Sequence, residues 1–133
     1  MTNRTRVVVY GSLKAGQGNH TLLQAEDTQY LGRMRFPGRM VSLGWFPAVT
    51  EDCEDGQTVL GEVYEVSNET LMSLDVLEGH PSFYERKKIE TPWKKAWTYF
   101  MPDESVSTAR LVQDGIWEAT PEELEWDALQ DQA

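Results

Sequence analysis

Residues 59–66, Val-Leu-Gly-Glu-Val-Tyr-Glu-Val, alternate with a two-residue period, and the chain switches to helical spacing within a few positions. Alternation of this kind sends successive side chains to opposite faces of a strand. The following leucines recur at helical intervals. Ser67 or Asn68 can cap that helix, and Gly79, with Pro81 beyond it, stops it. With Leu71 at zero and about 100° per residue, Leu74 falls near ~300°, Leu77 near ~240° and Glu78 near ~340°. Glu78 thus lies between Leu71 and Leu74, on the strip expected to face the core. A carboxylate there is costly unless it is paired, hydrogen-bonded or facing a cavity. The alternative is a solvent-facing Glu on a frayed last turn. Asp75, near ~40°, could face the same way as Glu78.

The rest of the chain supplies further short strands. Residues 6–10, Arg-Val-Val-Val-Tyr, form a β-branched run expected as a buried first strand. Residues 30–36 and 39–43 read as strands separated by the turn signal Pro37-Gly38. The apolar but proline-containing stretch 45–49 reads as an edge strand or ordered loop. Residues 83–91 and 95–101 form an expected hairpin around Pro92-Trp93-Lys94, and 110–112 a short strand. A helical turn is expected near Asn19, with Leu22 and Leu23 packing inward. Residues 121–129 read as an acidic amphipathic helix anchored by Leu124, Trp126 and Leu129. There is no repeat, linker or low-complexity segment. The reading is one domain over residues 1–133, with a core over about 6–112 and the acidic helix over about 121–130. Its class is α+β, with the sheet curled towards a barrel.

Charge and composition narrow the function. Twelve basic against 22 acidic residues give a formal charge of −10, a surface that repels nucleic acid and anionic membrane. No apolar run approaches about 18 residues, so no transmembrane helix is expected. Cys53 is the single cysteine, which fits a reducing compartment. The N-terminus runs into a strand without a signal peptide's apolar core, so the expected location is cytoplasmic. His20 and His80 are the only histidines, and no ligand spacing supports a metal site.

Four motifs carry candidate chemistry. Tyr10-Gly11-Ser12-Leu13, at the end of the first strand, can form a nest of backbone N–H groups for a carboxylate or an oxyanion, or can be an ordinary strand-to-loop turn. In Gly16-Gln17-Gly18-Asn19-His20, Asn19 can reach the same pocket, cap the following helix, or do both. His20 reads as structural. Tyr84 and Arg86 share one strand face. Both can line a pocket, or Tyr84 can pack in the core while Arg86 makes a structural ion pair. Ser12 lacks an oriented base and the Gly-x-Ser-x-Gly pattern, and the glycine loop is neither a Walker A loop nor a dinucleotide fingerprint.

Taken together, in this order and spacing, the motifs resemble the γ-glutamylcyclotransferase-like superfamily, above all the γ-glutamylamine cyclotransferases and their small bacterial relatives. The resemblance rests on Val9-Tyr10-Gly11-Ser12-Leu13-Lys14, on residues 16–20, and on Gly61-Glu62-Val63-Tyr64. It continues through Leu74-Asp75-Val76-Leu77-Glu78-Gly79 with Tyr84 and Arg86, and through Ala96-Trp97-Thr98-Tyr99. It spans about residues 7–101. It implies a small mixed β-barrel flanked by short helices, Glu78 as acid/base, and substrate binding by Tyr10, Gly11, Ser12 and Leu13, with Asn19 and Tyr84 bordering the pocket. It also implies a small-molecule γ-glutamyl substrate, release of 5-oxoproline, and no cofactor. Trp45 and Phe46 are candidates for the leaving-group wall. The leaving group itself stays open: a free amine, a lysine ε-amine, cysteinylglycine or another metabolite. So does the oligomeric state. The acidic helix could cover the barrel, lid the pocket or bind a partner. Two other readings are a non-catalytic module that holds a carboxylate ligand and an acidic protein that occupies a basic site on a partner.

Overall fold

The computed structural model describes residues 4–11, 13–15, 17–18, 20–24, 28–106 and 108–131. In chain order the strands are β1 (Arg4–Val9), β2 (Gln29–Pro37), β3 (Arg39–Ser42), β4 (Pro47–Thr50) and β5 (Thr58–Ser67). Helix α1 (Asn68–Glu78) follows, then β6 (Glu85–Ile89), β7 (Ala96–Phe100), β8 (Arg110–Leu111) and α2 (Pro121–Asp131). A short 3₁₀ turn, His20–Leu23, follows the glycine loop. Leu23 is buried in the core and Leu22 packs against it.

The strands make a five-stranded sheet in the order β2-β5-β1-β7-β6 and a three-stranded sheet in the order β4-β3-β8. All pairings are antiparallel except β1 with β7. The class is therefore α+β, but the hydrogen-bonded ladder does not close into the expected barrel, because β2 and β6 remain edges of the larger sheet. Met101 N, just past β7, donates to the Val49 carbonyl of β4 at 2.9 Å and so links the two sheets, while Val112 N to the Met40 carbonyl (2.8 Å) extends the β8–β3 pairing.

The run Val7-Val8-Val9-Tyr10 is apolar throughout because β1 is central and both faces are covered. Val7 and Val9 join one core cluster with Leu71, Leu74 and Tyr99, while Val8 and Tyr10 join the other with Phe36, Val63 and Phe100. β1 pairs with β5 in antiparallel register, with Arg4 opposite Ser67, Val7 opposite Tyr64 and Val9 opposite Glu62, so the start of β1 lies beside the start of α1. Helix α1 begins where Ser67 Oγ accepts from Thr70 N at 3.2 Å. It ends where Gly79 takes the left-handed conformation (φ 66°) and its N–H returns to the last turn.

One expectation for α2 is corrected. Of the three expected anchors, Leu124 and Leu129 are exposed and Trp126 is half-buried, while Glu123 is buried. The helix docks through ion pairs, Glu123 to Lys14 and Asp127 to Arg35, with the half-buried Trp126 on the same helical face.

Candidate active site

Glu78 is the last residue of α1, and its half-buried position follows from Leu71 and Leu74 pinning the helix to the core. It opens on a cavity of about 330 Å³, whose walls include Val8, Val9, Tyr10, Gly11 and Leu13 from the end of β1 and the turn after it. The lining also includes Trp45, Phe46 and Pro47, with Leu77, Phe83, Tyr84 and Tyr99 completing it. Of the residues singled out in the sequence, the structure thus brings Tyr10, Gly11, Leu13, Glu78 and Tyr84 to one hollow. Ser12 and Asn19 lie outside the described residues.

Three tyrosines surround the carboxyl, and each has its hydroxyl committed elsewhere. Tyr10 donates to the Tyr99 carbonyl, Tyr84 to the Pro47 carbonyl and Tyr99 to Asp75 Oδ1, all at 2.7 Å. Burial pushes each of these phenols up, and the Glu78 charge adds to it in every case. Among the described residues Glu78 has no neutralising partner, and burial pushes its carboxyl from 4.5 up to about 7.

Asp75, one turn earlier on the same helix, is treated in the opposite way. Arg86 Nε donates to both of its oxygens, at 2.9 and 3.0 Å, and Tyr99 adds its hydroxyl. The Arg86 guanidinium also lies 4.2 Å from the centre of the Trp97 ring. The cation nearest in sequence is thus spent on Asp75. Among the described residues lining the cavity there is no Lys, Arg or His.

The turn that forms one wall is held from behind. Lys14 N donates to the Gly11 carbonyl at 3.0 Å, closing a tight turn, and Gly11 packs against Pro47 so closely that a Cβ would meet the proline ring at 2.9 Å. The His20 ring meets the Leu13 carbonyl at 2.9 Å. Ala15 N donates to Glu62 Oε1 at 2.9 Å, and the same oxygen accepts from the Tyr64 hydroxyl at 2.8 Å. Lys14 runs inward, 1% exposed, and its Nζ donates to the Trp117 carbonyl (2.6 Å) and to Glu123 Oε2 (2.8 Å). The other oxygen of Glu123 accepts from Thr120 N at 3.0 Å while Thr120 Oγ1 accepts from Glu123 N at 3.2 Å, a reciprocal cap on α2. The acidic helix thus braces the turn from the far side, and none of its described residues lines the cavity.

Sequence reasoning missed Lys14, Glu62 and Glu123. A signal for Glu123 existed, since Thr120-Pro121-Glu122-Glu123 is a capping-box pattern with proline at the first helical position. None existed for its pairing with a lysine 109 residues away. No group of His, Cys, Asp or Glu among the described residues is arranged to hold a metal ion. Nor is any described helix long and apolar enough to cross a membrane.

Comparison with known proteins agrees with this architecture. The family model described as Gamma-glutamyl cyclotransferase, AIG2-like, matches residues 7–119, and the chain belongs to that family. A Vibrio cholerae protein with a provisional gamma-glutamylcyclotransferase name is 40% identical over 113 residues, covering 84% of this chain and 93% of that one. The Escherichia coli gamma-glutamylcyclotransferase family protein YtfP is 37% identical over 114 residues, covering 84% and 95%. Its solution structure superposes with a TM-score of 0.66, covering 86% of this chain and 96% of that one at 35% identity. A mouse AIG2-like protein shares the fold, with a TM-score of 0.65 at 24% identity over 92% of this chain and 83% of its own.

Proposed function

We propose that the chain is a γ-glutamyl cyclotransferase in which Glu78 moves the protons. A γ-glutamyl amide carries its own nucleophile. The α-amine folds back onto the γ-carbonyl carbon, the carbon–nitrogen bond to the leaving group breaks, and 5-oxoproline departs with a free amine or peptide. Because the attack is intramolecular, the protein needs no nucleophile of its own. Its tasks are to hold the folded conformer, take a proton from the ammonium and return one to the leaving nitrogen. A carboxyl near 7 is matched to both transfers at neutral pH. The amides of the Gly11–Leu13 turn are assigned to the α-carboxylate or the developing oxyanion, with Ser12 and Asn19 as further binding positions. Tyr10 and Tyr84 wall the substrate. Residues 1–133 are read as one working unit, since α2 braces the turn through Lys14.

The observation that carries this reading is Glu78 itself, desolvated among tyrosines that all donate elsewhere, on the cavity's edge facing the glycine turn. The test is to incubate the protein with γ-glutamyl amines and peptides and to measure 5-oxoproline by mass spectrometry. Release by the wild type and not by a folded Glu78→Gln variant is the expected result. Full turnover by that variant would remove Glu78 from the mechanism. Saturable binding without turnover by the wild type would make the chain a carboxylate-binding module instead.

A further inference from the structure

Beyond the reacting centre, the same cavity is rimmed by exposed apolar side chains from two loops. Trp45 is 94% exposed at the tip of the β3–β4 hairpin, although the turn beneath it is firmly closed by Leu43 N donating to the Phe46 carbonyl at 2.9 Å. Phe83 is half exposed, yet its N–H donates to the Gly79 carbonyl at 2.8 Å and its ring stands edge-on to Tyr84 at 5.1 Å. The Phe46 and Phe83 rings meet at 6.1 Å, tilted against each other, and Leu77, also exposed, lines the same cavity. A large apolar side chain exposed to water on the rim of a cavity, and continuous with its wall, marks a surface that expects cover.

What covers it is limited by charge. A leaving group with a carboxylate, such as a dipeptide or a free amino acid, needs a cation, and the described lining has none. The nearby cations are taken: Arg86 by Asp75, Lys87 by Glu51 and Lys14 by Glu123. A second ammonium on the leaving amine would need a carboxylate. Among the described lining residues the one carboxyl is Glu78, which has to stay free to carry a proton. We infer that the leaving amine is uncharged beyond its reacting nitrogen and apolar, an aryl or alkyl amine whose hydrocarbon lies against Trp45, Phe46, Leu77 and Phe83. The inference rests on the cyclotransferase reading. The γ-glutamyl amide of such an amine closes to 5-oxoproline as the bond from the α-nitrogen to the γ-carbon forms and the bond to the leaving nitrogen breaks. Of the two protons the α-ammonium gives up, one goes to the departing nitrogen to make RNH₂ and the second goes to solvent or to the freed amine as RNH₃⁺.

The experiment has two readouts. Turnover is followed as 5-oxoproline from the γ-glutamyl amides of aniline, phenethylamine and n-hexylamine. Glutathione, the γ-glutamyl isopeptide of lysine and the monoamide of 1,4-diaminobutane serve as charged competitors. Binding of the same compounds is measured calorimetrically on Glu78→Gln, independently of chemistry. The expected result is kcat/KM about tenfold or more higher for the apolar amides, the usual size of one well-filled apolar contact. The same order is expected in Kd, and Trp45→Ala and Phe83→Ser should shrink the ratio. Equal turnover of all amides, or preference for the diamine or the peptides, overturns the inference and leaves the cyclotransferase reading standing. Apolar-selective binding without turnover by the wild type upholds the preference and removes the catalysis. Neither binding nor turnover of any compound removes both.

Discussion

On one side of the turn that follows β1, Lys14 and Glu123 meet at 2.8 Å with both side chains sealed from solvent. On the other, Glu78 faces a cavity with no cation among the described residues around it. The first carboxylate is compensated by an ammonium and by Thr120 N. The second is surrounded by phenols turned away from it. Removing charges from water is costly in both places. In the first the cost is offset locally and the result is rigidity. In the second it is left standing and surfaces as a carboxyl that titrates near neutrality. The contrast between Asp75 and Glu78 repeats the lesson within a single helix, three residues apart, because one arginine can serve only one of them.

Breaking the uncompensated side carries the largest expected effect. Glu78→Gln lowers 5-oxoproline release by roughly 10²- to 10⁴-fold, the usual worth of a general acid/base, with an unchanged circular dichroism spectrum. Breaking the compensated side costs stability. Lys14→Met strands the Glu123 carboxylate and lowers the unfolding free energy in urea by about 3–5 kcal/mol. The double variant Lys14→Met/Glu123→Gln keeps a capping-box side chain and no buried charge, and regains most of that loss. If the single and double variants unfold at the same urea concentration, the pair is not what holds the turn.

A third measurement sharpens the contrast through pH. The Glu78 carboxyl is raised on folding, so the folded state holds that proton more tightly than the unfolded one. Its contribution is complete below about pH 4.5 and is lost as pH rises through about 7. Above that range wild type is penalised by up to about 3 kcal/mol relative to Glu78→Gln, and below it the two converge. Parallel stability curves from pH 4 to 8 would show that the carboxyl is not raised. On the same grounds, kcat/KM of the wild type climbs with pH up to about 7 as the base form appears. The smallest effect is expected at Leu124. Half exposed on α2, it should tolerate Leu124→Ser within about 0.5 kcal/mol, which sets it apart from its buried neighbour Glu123.

Several elements were legible because their signals are local. The alternation over 59–66 became β5, extended by a residue at each end, and Ser67 and Gly79 bound α1 as capping chemistry requires. The hairpin around residues 92–94 and the break at Pro37-Gly38 follow from turn residues in the same way. Helical spacing also placed Glu78 on the same face as Leu71 and Leu74. The misreadings concern long-range partners. Leu124 and Leu129 satisfy an amphipathic pattern yet face water, because a salt bridge to Lys14 chose the docking face. Barrel closure was expected from the resemblance, but the strand order leaves β2 and β6 unpaired on their outer sides.

The sequence by itself determined which segments are strands and helices, where α1 stops, and that a glutamate sits on that helix's inward strip. These depend on periodicity and on caps a few residues apart. Only the tertiary structure decided which carboxylates are neutralised by cations and which is left bare, because that depends on where Arg86 and Lys14 can reach once the sheet is assembled. It also decided that Trp45, Phe46 and Phe83 meet at one opening, since residues from separate loops come together only when β3, β4 and β6 are set in place around the end of β1.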